Sequence, residues 1–213
     1  LEKTVALLEH GGRSWALSSG MAAVQLVFSL LSAGDHVLMS EDLYGGTVRL
    51  AEEVFAGYGI TFEYVDVRDL ALVGKRMRSE TKLFFIETPS NPMMQIADIA
   101  ALSALAHENG ALLAVDNTFL SPHFQKPLTL GADIVLHSGT KYLCGHNDVI
   151  AGFLVLKDAT SAQAKRIELL AKSAGPNLSA LDSWLMLRSI KTLGVRVERQ
   201  AENALAIARW LGT

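Results

Sequence analysis

Ser138-Gly139-Thr140-Lys141 puts two hydroxyls and an amine into one four-residue stretch. Hydroxyls donate to anionic oxygens, and a lysine amine can form a Schiff base with a carbonyl when its surroundings favour the neutral form. A lysine that snorkels to the surface fits the same letters. Asp116-Asn117-Thr118 follows an apolar run, and a carboxylate there must find a cation or a donor, because burying it alone is costly. A protonated heterocycle nitrogen, a neighbouring arginine or a cap on the turn would each serve. Ser18-Ser19-Gly20-Met21 opens a helical stretch, where free N–H groups and the helix dipole can cradle a phosphate. An ordinary N-cap at Ser19 explains those residues equally well. Tyr44, in Asp42-Leu43-Tyr44-Gly45-Gly46, either stacks on a planar ring or covers a core edge. Pro89-Ser90-Asn91-Pro92 offers an amide to a ring hydroxyl, or is a turn shaped by its prolines.

Each motif has a plain structural explanation. Together they describe a ligand with a phosphate, a flat protonatable ring and an aldehyde, which is pyridoxal 5′-phosphate. Gly20, Met21, Ser138 and Thr140 would take the phosphate, Asp116 the ring nitrogen and Lys141 the aldehyde. Metal chemistry is not expected, because His36, His107, His123, His137 and His146 are scattered, with no His-x-x-x-His pair. His137 reads as a hydrogen-bonded structural histidine and Cys144 as a packing residue. Arg188 and Lys191 read as polar positions on an amphipathic helix.

The elements that must position these residues alternate along the chain. Strand-like runs fall at 15–18, 37–40, 60–65, 82–87, 111–115, 133–137 and 151–156. Helical patterns fall between them at 20–31, 46–57, 70–78 and 98–109, and from 161 onward the pattern is wholly helical. Near-continuous apolar strands separated by amphipathic helices predict an α/β fold, a mostly parallel sheet covered on both faces. Such sheets bind ligands beyond the carboxyl ends of their strands, where the polar motifs sit.

Composition narrows the class. The 213 residues carry 19 Lys+Arg and 22 Asp+Glu, a net charge of −3, and half are hydrophobic, which excludes a disordered segment. Lys and Arg form no dense stripe, which argues against nucleic-acid binding. A single cysteine rules out a disulfide framework and fits a reducing compartment. Apolar stretches break before the roughly 18 residues of a membrane span, so no membrane partner is expected, and no signal peptide is visible. The first ten residues have helical periodicity without an initiator Met, and the last follow another amphipathic run, so the chain is expected to be an excerpt cut at both ends.

The ordered motifs resemble the transsulfuration (Cys/Met metabolism) family of pyridoxal-phosphate enzymes, which includes cystathionine γ-synthase, cystathionine β- and γ-lyases and methionine γ-lyase. The resemblance runs through the five motifs above and continues with Glu87-Thr88, Leu130-Gly131-Ala132-Asp133, Gly145-His146-Asn147-Asp148 and Leu187-Arg188-Ser189-Ile190-Lys191-Thr192-Leu193. It implies the type I fold, a three-layer sandwich around a mixed, mostly parallel seven-stranded sheet, followed by a smaller C-terminal domain. Residues 1–213 would then be the cofactor-binding large domain.

By this resemblance Lys141 and Tyr44 are catalytic, Lys141 bonding the cofactor and Tyr44 stacking on its ring and assisting proton transfer. Gly20, Met21, Asn91, Asp116, Thr118, Ser138 and Thr140 complete the cofactor site. The implied substrate is a sulfur-containing amino acid, and the implied reactions are β-elimination, γ-elimination and γ-replacement. The resemblance further implies a cytoplasmic homotetramer, a dimer of dimers, and little turnover by the fragment alone. The arginine that grips the substrate carboxylate and an N-terminal arm reaching the neighbouring subunit would lie outside this chain. Gly46 stands where methionine γ-lyases carry a cysteine, which disfavours that activity. An aminotransferase of the same fold and a non-catalytic module are the alternatives.

Overall fold

Seven strands form a single sheet: β1 (Arg13–Leu17), β2 (His36–Ser40), β3 (Thr61–Val65), β4 (Thr81–Glu87), β5 (Leu112–Asp116), β6 (Ile134–Ser138) and β7 (Gly152–Leu156). Their order across the sheet is β1-β7-β6-β5-β4-β2-β3. This is a computed structural model, and it describes residues 1–212. Alternation along each strand sends side chains to two cores. In β4, Phe84 and Ile86 enter one core while Leu83 and Phe85 enter the other, and in β5 Leu113 and Val115 oppose Ala114. Burial on both faces is why these strands read as unbroken apolar runs.

Nine α-helices among the described residues cover the two faces. α2 (Gly20–Phe28), α3 (Gly45–Glu53) and α7 (Ala162–Ala174) pack on one side, through residues such as Val27, Phe28, Ala51 and Ile167. On the other side lie α1 (Glu2–Leu8), α4 (Leu70–Arg76), α5 (Ile99–Glu108), α8 (Ala180–Ile190) and α9 (Leu193–Leu211), which contribute Val5, Val73, Leu102, Met186 and Val197. The short α6 (Ser121–Phe124) follows β5. The result is the expected three-layer α/β sandwich. No described helix is long and apolar enough to cross a membrane.

Strand direction determines where the polar motifs gather. β2 to β6 run parallel, β7 is antiparallel to β6, and β1 is antiparallel to β7, so six strands share one direction. Their carboxyl ends lie along one edge. Because β7 runs the other way, its first residue, Gly152, sits on that same edge, paired with Ser138. The connection at 139–151 therefore leaves and re-enters the sheet at the site edge and carries Lys141 without crossing the molecule.

The expected strands lie within two residues of the observed ones. The helix expected at 46–57 ends at Glu53 and tightens into a 3₁₀ turn at Phe55–Tyr58, closed by Gly59 in the left-handed region. The C-terminal helical tract is three helices, the first ended by Gly175 (φ +68°), after which Asn177 bridges to Leu17. α6 and the 3₁₀ turn Pro127–Leu130 carry too few residues to show a period. Asp116 and Ser138, expected just after their strands, are the last residues of β5 and β6.

The start of β7 also sets the start of α2. A Cβ on Gly152 would lie 1.9 Å from the Ser19 carbonyl oxygen and 2.8 Å from the Gly20 nitrogen. Gly152→Ala must push α2 off the sheet, and we expect a loss of about 1–3 kcal/mol or more in denaturant unfolding, the range for overpacked sites. A variant as stable as the parent would show that α2 does not depend on this close approach.

Candidate functional site

All nine residues singled out from the sequence meet at the carboxyl edge of the sheet. Gly20, Met21, Tyr44, Asn91, Asp116, Thr118, Ser138, Thr140 and Lys141 line one cavity of about 280 Å³. Its other walls are Ser19, Val24, Thr47, Glu87, Phe119 and Ile150.

The two readings of the α2 start hold together. Ser19 is the N-cap, its hydroxyl accepting the Ala22 N–H at 3.1 Å. That cap leaves the N–H groups of Gly20 and Met21, which open the helix, without intrahelical acceptors. Gly20 is needed there because a Cβ would lie 2.9 Å from the Ser138 Cβ. The Ser138 hydroxyl makes no hydrogen bond among the described residues, whereas its N–H donates to Thr118 Oγ1 at 2.8 Å. The Thr140 hydroxyl, by contrast, is engaged with the Ala151 backbone, at 3.3 Å to its oxygen and 3.1 Å from its nitrogen. Lys141 is exposed, and its amine has no hydrogen-bond or ion-pair partner among the described residues.

Two carboxylates form the floor. Glu87 ends β4 and Asp116 ends β5, and they are register partners on adjacent parallel strands. Asp116 accepts the Thr118 N–H at 3.0 Å and the Thr118 hydroxyl at 2.5 Å, both at Oδ1. Glu87, only 6% exposed, accepts the Tyr44 N–H at 2.8 Å and so fixes the start of α3. Neither carboxylate has an ion-pair partner among the described residues. Burial, and then the Asp116 charge, push Glu87 up to about 8. Burial likewise raises Asp116, against the two bonds from Thr118. Side-by-side buried carboxylates cannot both ionise without a cation nearby.

Tyr44 stands at the mouth, half exposed, and Gly46 makes room for its ring: a Cβ there would lie 2.4 Å from Tyr44 Cε1. Asn91 belongs to a loop organised by Asp42, which accepts the Met93 N–H at 3.0 Å and the Ser90 hydroxyl. Beneath the floor, His137 Nε2 bonds Glu9 Oε1 at 2.6 Å, and Asn117 Nδ2 donates to the same oxygen at 2.8 Å. Gln125 Nε2 reaches Asn117 Oδ1 at 2.9 Å and the Thr88 carbonyl at 2.8 Å, tying together the ends of β4, β5 and β6. His137 is thus a structural histidine, as expected. Cys144 is buried, its thiol 3.0 Å from Asp148 Oδ1, and Arg188 and Lys191 are exposed on their helix and corner.

Sequence reasoning missed Glu87 and Val24, and beside them Thr47, Phe119 and Ile150. Glu87 was findable: it ends an apolar strand as Asp116 does, and the same rule about buried carboxylates applies. The other four are ordinary letters whose place at the cavity follows from folding alone.

The family model described as Cys/Met metabolism PLP-dependent enzyme matches residues 1–213. Cystathionine β-lyase MetC of Bacillus subtilis is 48% identical over 99% of the chain and 53% of its own length. Cystathionine γ-synthase of Haemophilus influenzae is 44% identical over 99% of the chain and 57% of its own length. The crystal structure of cystathionine γ-lyase from Lactobacillus plantarum complexed with L-serine superimposes with a TM-score of 0.97 at 46% identity, covering all of the chain and 55% of that protein. The chain therefore spans about half the length of the curated relatives it matches.

The raised carboxyls give a definite pH dependence. A carboxyl that holds its proton more tightly when folded contributes stability that is complete below its unfolded value, 4.5 for Glu87, and is lost as pH rises to about 8. Glu87→Gln keeps an acceptor for the Tyr44 N–H but removes the ionisation. In denaturant unfolding without cofactor, the variant should gain on the parent as pH rises from 4.5 to 8, by at most about 1.4 kcal/mol per pH unit. A difference independent of pH would show that Glu87 ionises normally.

Proposed function

The chain belongs to the Cys/Met metabolism PLP-dependent enzyme family, and on that premise we propose that the protein is a transsulfuration enzyme. It would act on sulfur-containing amino acids by elimination or replacement at Cβ or Cγ. Residues 1–213 are proposed as the cofactor-binding large domain of this enzyme. The observation that carries the reading is the convergence of a free lysine amine, two uncompensated carboxylates and open helix N–H groups on one cavity.

The residues present fit pyridoxal phosphate. The N–H groups of Gly20 and Met21 and the Ser138 hydroxyl are donors for a phosphate, reinforced by the α2 dipole. Thr140, held by Ala151, shapes the turn beside them. The Glu87–Asp116 floor lacks a cation, and a protonated ring nitrogen held by Asp116 would supply one. Asn91 and Tyr44 flank the ring position. When bound, the cofactor supplies an electron sink for charge developing at the substrate Cα.

The chain's own groups do the rest. Thr118 holds Asp116 in one orientation through two hydrogen bonds, so that its carboxylate stays aimed at a cationic partner. Glu87 anchors the Tyr44 backbone, which fixes where the phenol can reach a proton. The Lys141 amine, on a long stem with no competing partner among the described residues, would hold the cofactor's aldehyde and would be the base placed to take the substrate Cα proton.

Exposed apolar residues beside the site support assembly. Met93, Met94 and Ile96 follow Asn91, and Ile150 stands on the cavity wall, each more than half exposed. A patch of this kind at a site mouth fits coverage by a second subunit, and a cytoplasmic homotetramer is the assembly we propose.

The full-length protein, supplied with pyridoxal phosphate, should turn yellow and convert cystathionine, or an activated homoserine with cysteine. Lys141→Ala should lower turnover by at least about a thousandfold, in line with loss of a covalent and general-base group. Pyruvate with homocysteine, 2-oxobutyrate with cysteine, or newly formed cystathionine identifies the reaction. A colourless protein that cannot be reconstituted would contradict the proposal.

A further inference from the structure

Lys141 sits in the connection at 139–151, which contains no strand or α-helix of its own. Local turns shape its first half: the Cys144 N–H donates to the Gly139 carbonyl at 2.9 Å, and the Gly145 N–H to the Lys141 carbonyl at 2.7 Å. Those bonds make the turn compact, but they do not orient it on the sheet. The orientation comes from outside the turn, from the corner between α8 and α9.

Arg196, at the end of the first turn of α9, is half-buried and uses all three guanidinium nitrogens. Nη1 donates to the Tyr142 carbonyl at 2.9 Å, Nη2 to the Ser189 carbonyl at 3.0 Å, and Nε to Thr192 Oγ1 at 3.0 Å. Ser189 lies in the last turn of α8, and its carbonyl also accepts the Thr192 N–H and the Thr192 hydroxyl, each at 3.1 Å, so the guanidinium joins a corner that is already closed and ties the lysine turn to it. A planar fork with fixed donor directions can bridge two carbonyls in this way, and an ammonium cannot hold the same geometry.

Gly145 gives an independent sign of the same contact. Its φ is +73°, and a Cβ there would lie 1.8 Å from Arg196 Nη1 and 2.4 Å from Cζ. The guanidinium occupies the space that any side chain at 145 would need. One residue on, His146 Nδ1 bonds the Cys144 carbonyl at 2.7 Å and lies 3.3 Å from Ser189 Oγ. Leu143 and Cys144 share the apolar core with Ile190, Leu193 and Val197 of the same corner.

We propose that Arg196 is a positioning residue for Lys141: by bridging the Tyr142 carbonyl to the α8–α9 corner, it sets where the Lys141 amine enters the cavity. The inference rests on the reading of Lys141 as the residue that bonds the cofactor. The lysine side chain has no partner of its own, so the placement of its backbone decides the reach of its amine. Arg196 touches neither the cavity lining nor any reacting atom, and its effect passes through the Tyr142 carbonyl.

The test uses the full-length protein with pyridoxal phosphate. Arg196→Met keeps the apolar stem and removes the fork, Arg196→Lys keeps the charge, and Gly145→Ala drives the guanidinium out. Phe28→Leu, in the opposite core, is the control for lost stability alone. Arg196→Met and Gly145→Ala should each weaken cofactor binding by about tenfold or more, and each should change the circular dichroism band of the bound cofactor. Phe28→Leu should do neither at comparable loss of thermal stability. Arg196→Lys should fall between parent and Arg196→Met, and it carries the test if the Met variant does not fold. Adding Gly145→Ala to Arg196→Met should weaken binding little further, because the contact is already gone. Arg196 variants that lose stability but keep the parent's affinity and dichroism would overturn the proposal. A parent protein that does not bind the cofactor would overturn the reading beneath it.

Discussion

Two carboxylates in register at the ends of neighbouring strands, Glu87 buried and Asp116 half-buried at the cavity, are the constraint on which the site depends. Glu87 and Asp116 lie side by side because β4 and β5 are parallel and end together. Without a cation the pair holds its protons abnormally tightly. The fold could have placed apolar residues there, since the residues leading to them, Leu83–Ile86 and Leu112–Val115, are all apolar. What it builds is a floor that a positively charged flat group would complete, with free N–H groups and a hydroxyl at one end and an amine at the other. The surrounding contacts stabilise that arrangement: Thr118 orients Asp116, and Glu87 holds the backbone of Tyr44.

The supporting structure is layered. On the far side of the sheet, Glu9, His137, Asn117 and Gln125 form a buried chain of hydrogen bonds linking the ends of β4, β5 and β6. The paired atoms of such a network favour one arrangement of the strand ends, although here Glu9 Oε2 and His137 Nδ1 are buried with no hydrogen-bond partner among the described residues. The reversal of β7 adds a second restraint, returning the lysine connection to the edge it left. The α8–α9 corner adds a third, through contacts that pass beneath the turn to Arg196. Precision at the cavity thus comes from three directions, none of which touches the ligand space.

Much of this was legible in the sequence, for physical reasons. Central strands covered on both faces are largely apolar and stood out, the half-exposed edge strand β3 showed through its Phe, Tyr and Val, and the polar residues closing β2, β4, β5 and β6 marked the site edge. Nine cavity residues were findable through their conjunction and the family resemblance, because each motif alone has an ordinary structural explanation. What escaped depends on direction and distance. Nothing in the letters of 152–156 says that β7 runs backwards, since a buried strand is apolar either way. Glu87 escaped because a terminal glutamate passes for a solvated one until its neighbour is known to be Asp116. Arg196 escaped because its partners are mostly backbone carbonyls, which every residue carries. Gly145 was read as part of a family motif, and its role as space for a guanidinium required coordinates.

The central claim is that the strand-edge cavity holds pyridoxal phosphate with Lys141 as its covalent partner. Borohydride reduction of the cofactor-loaded full-length protein, followed by digestion and mass mapping, tests it most directly. The account predicts a phosphopyridoxyl group on the peptide containing Lys141 and on no other lysine. Cofactor found on a different lysine, or a protein that binds it without any reducible bond, would contradict the account.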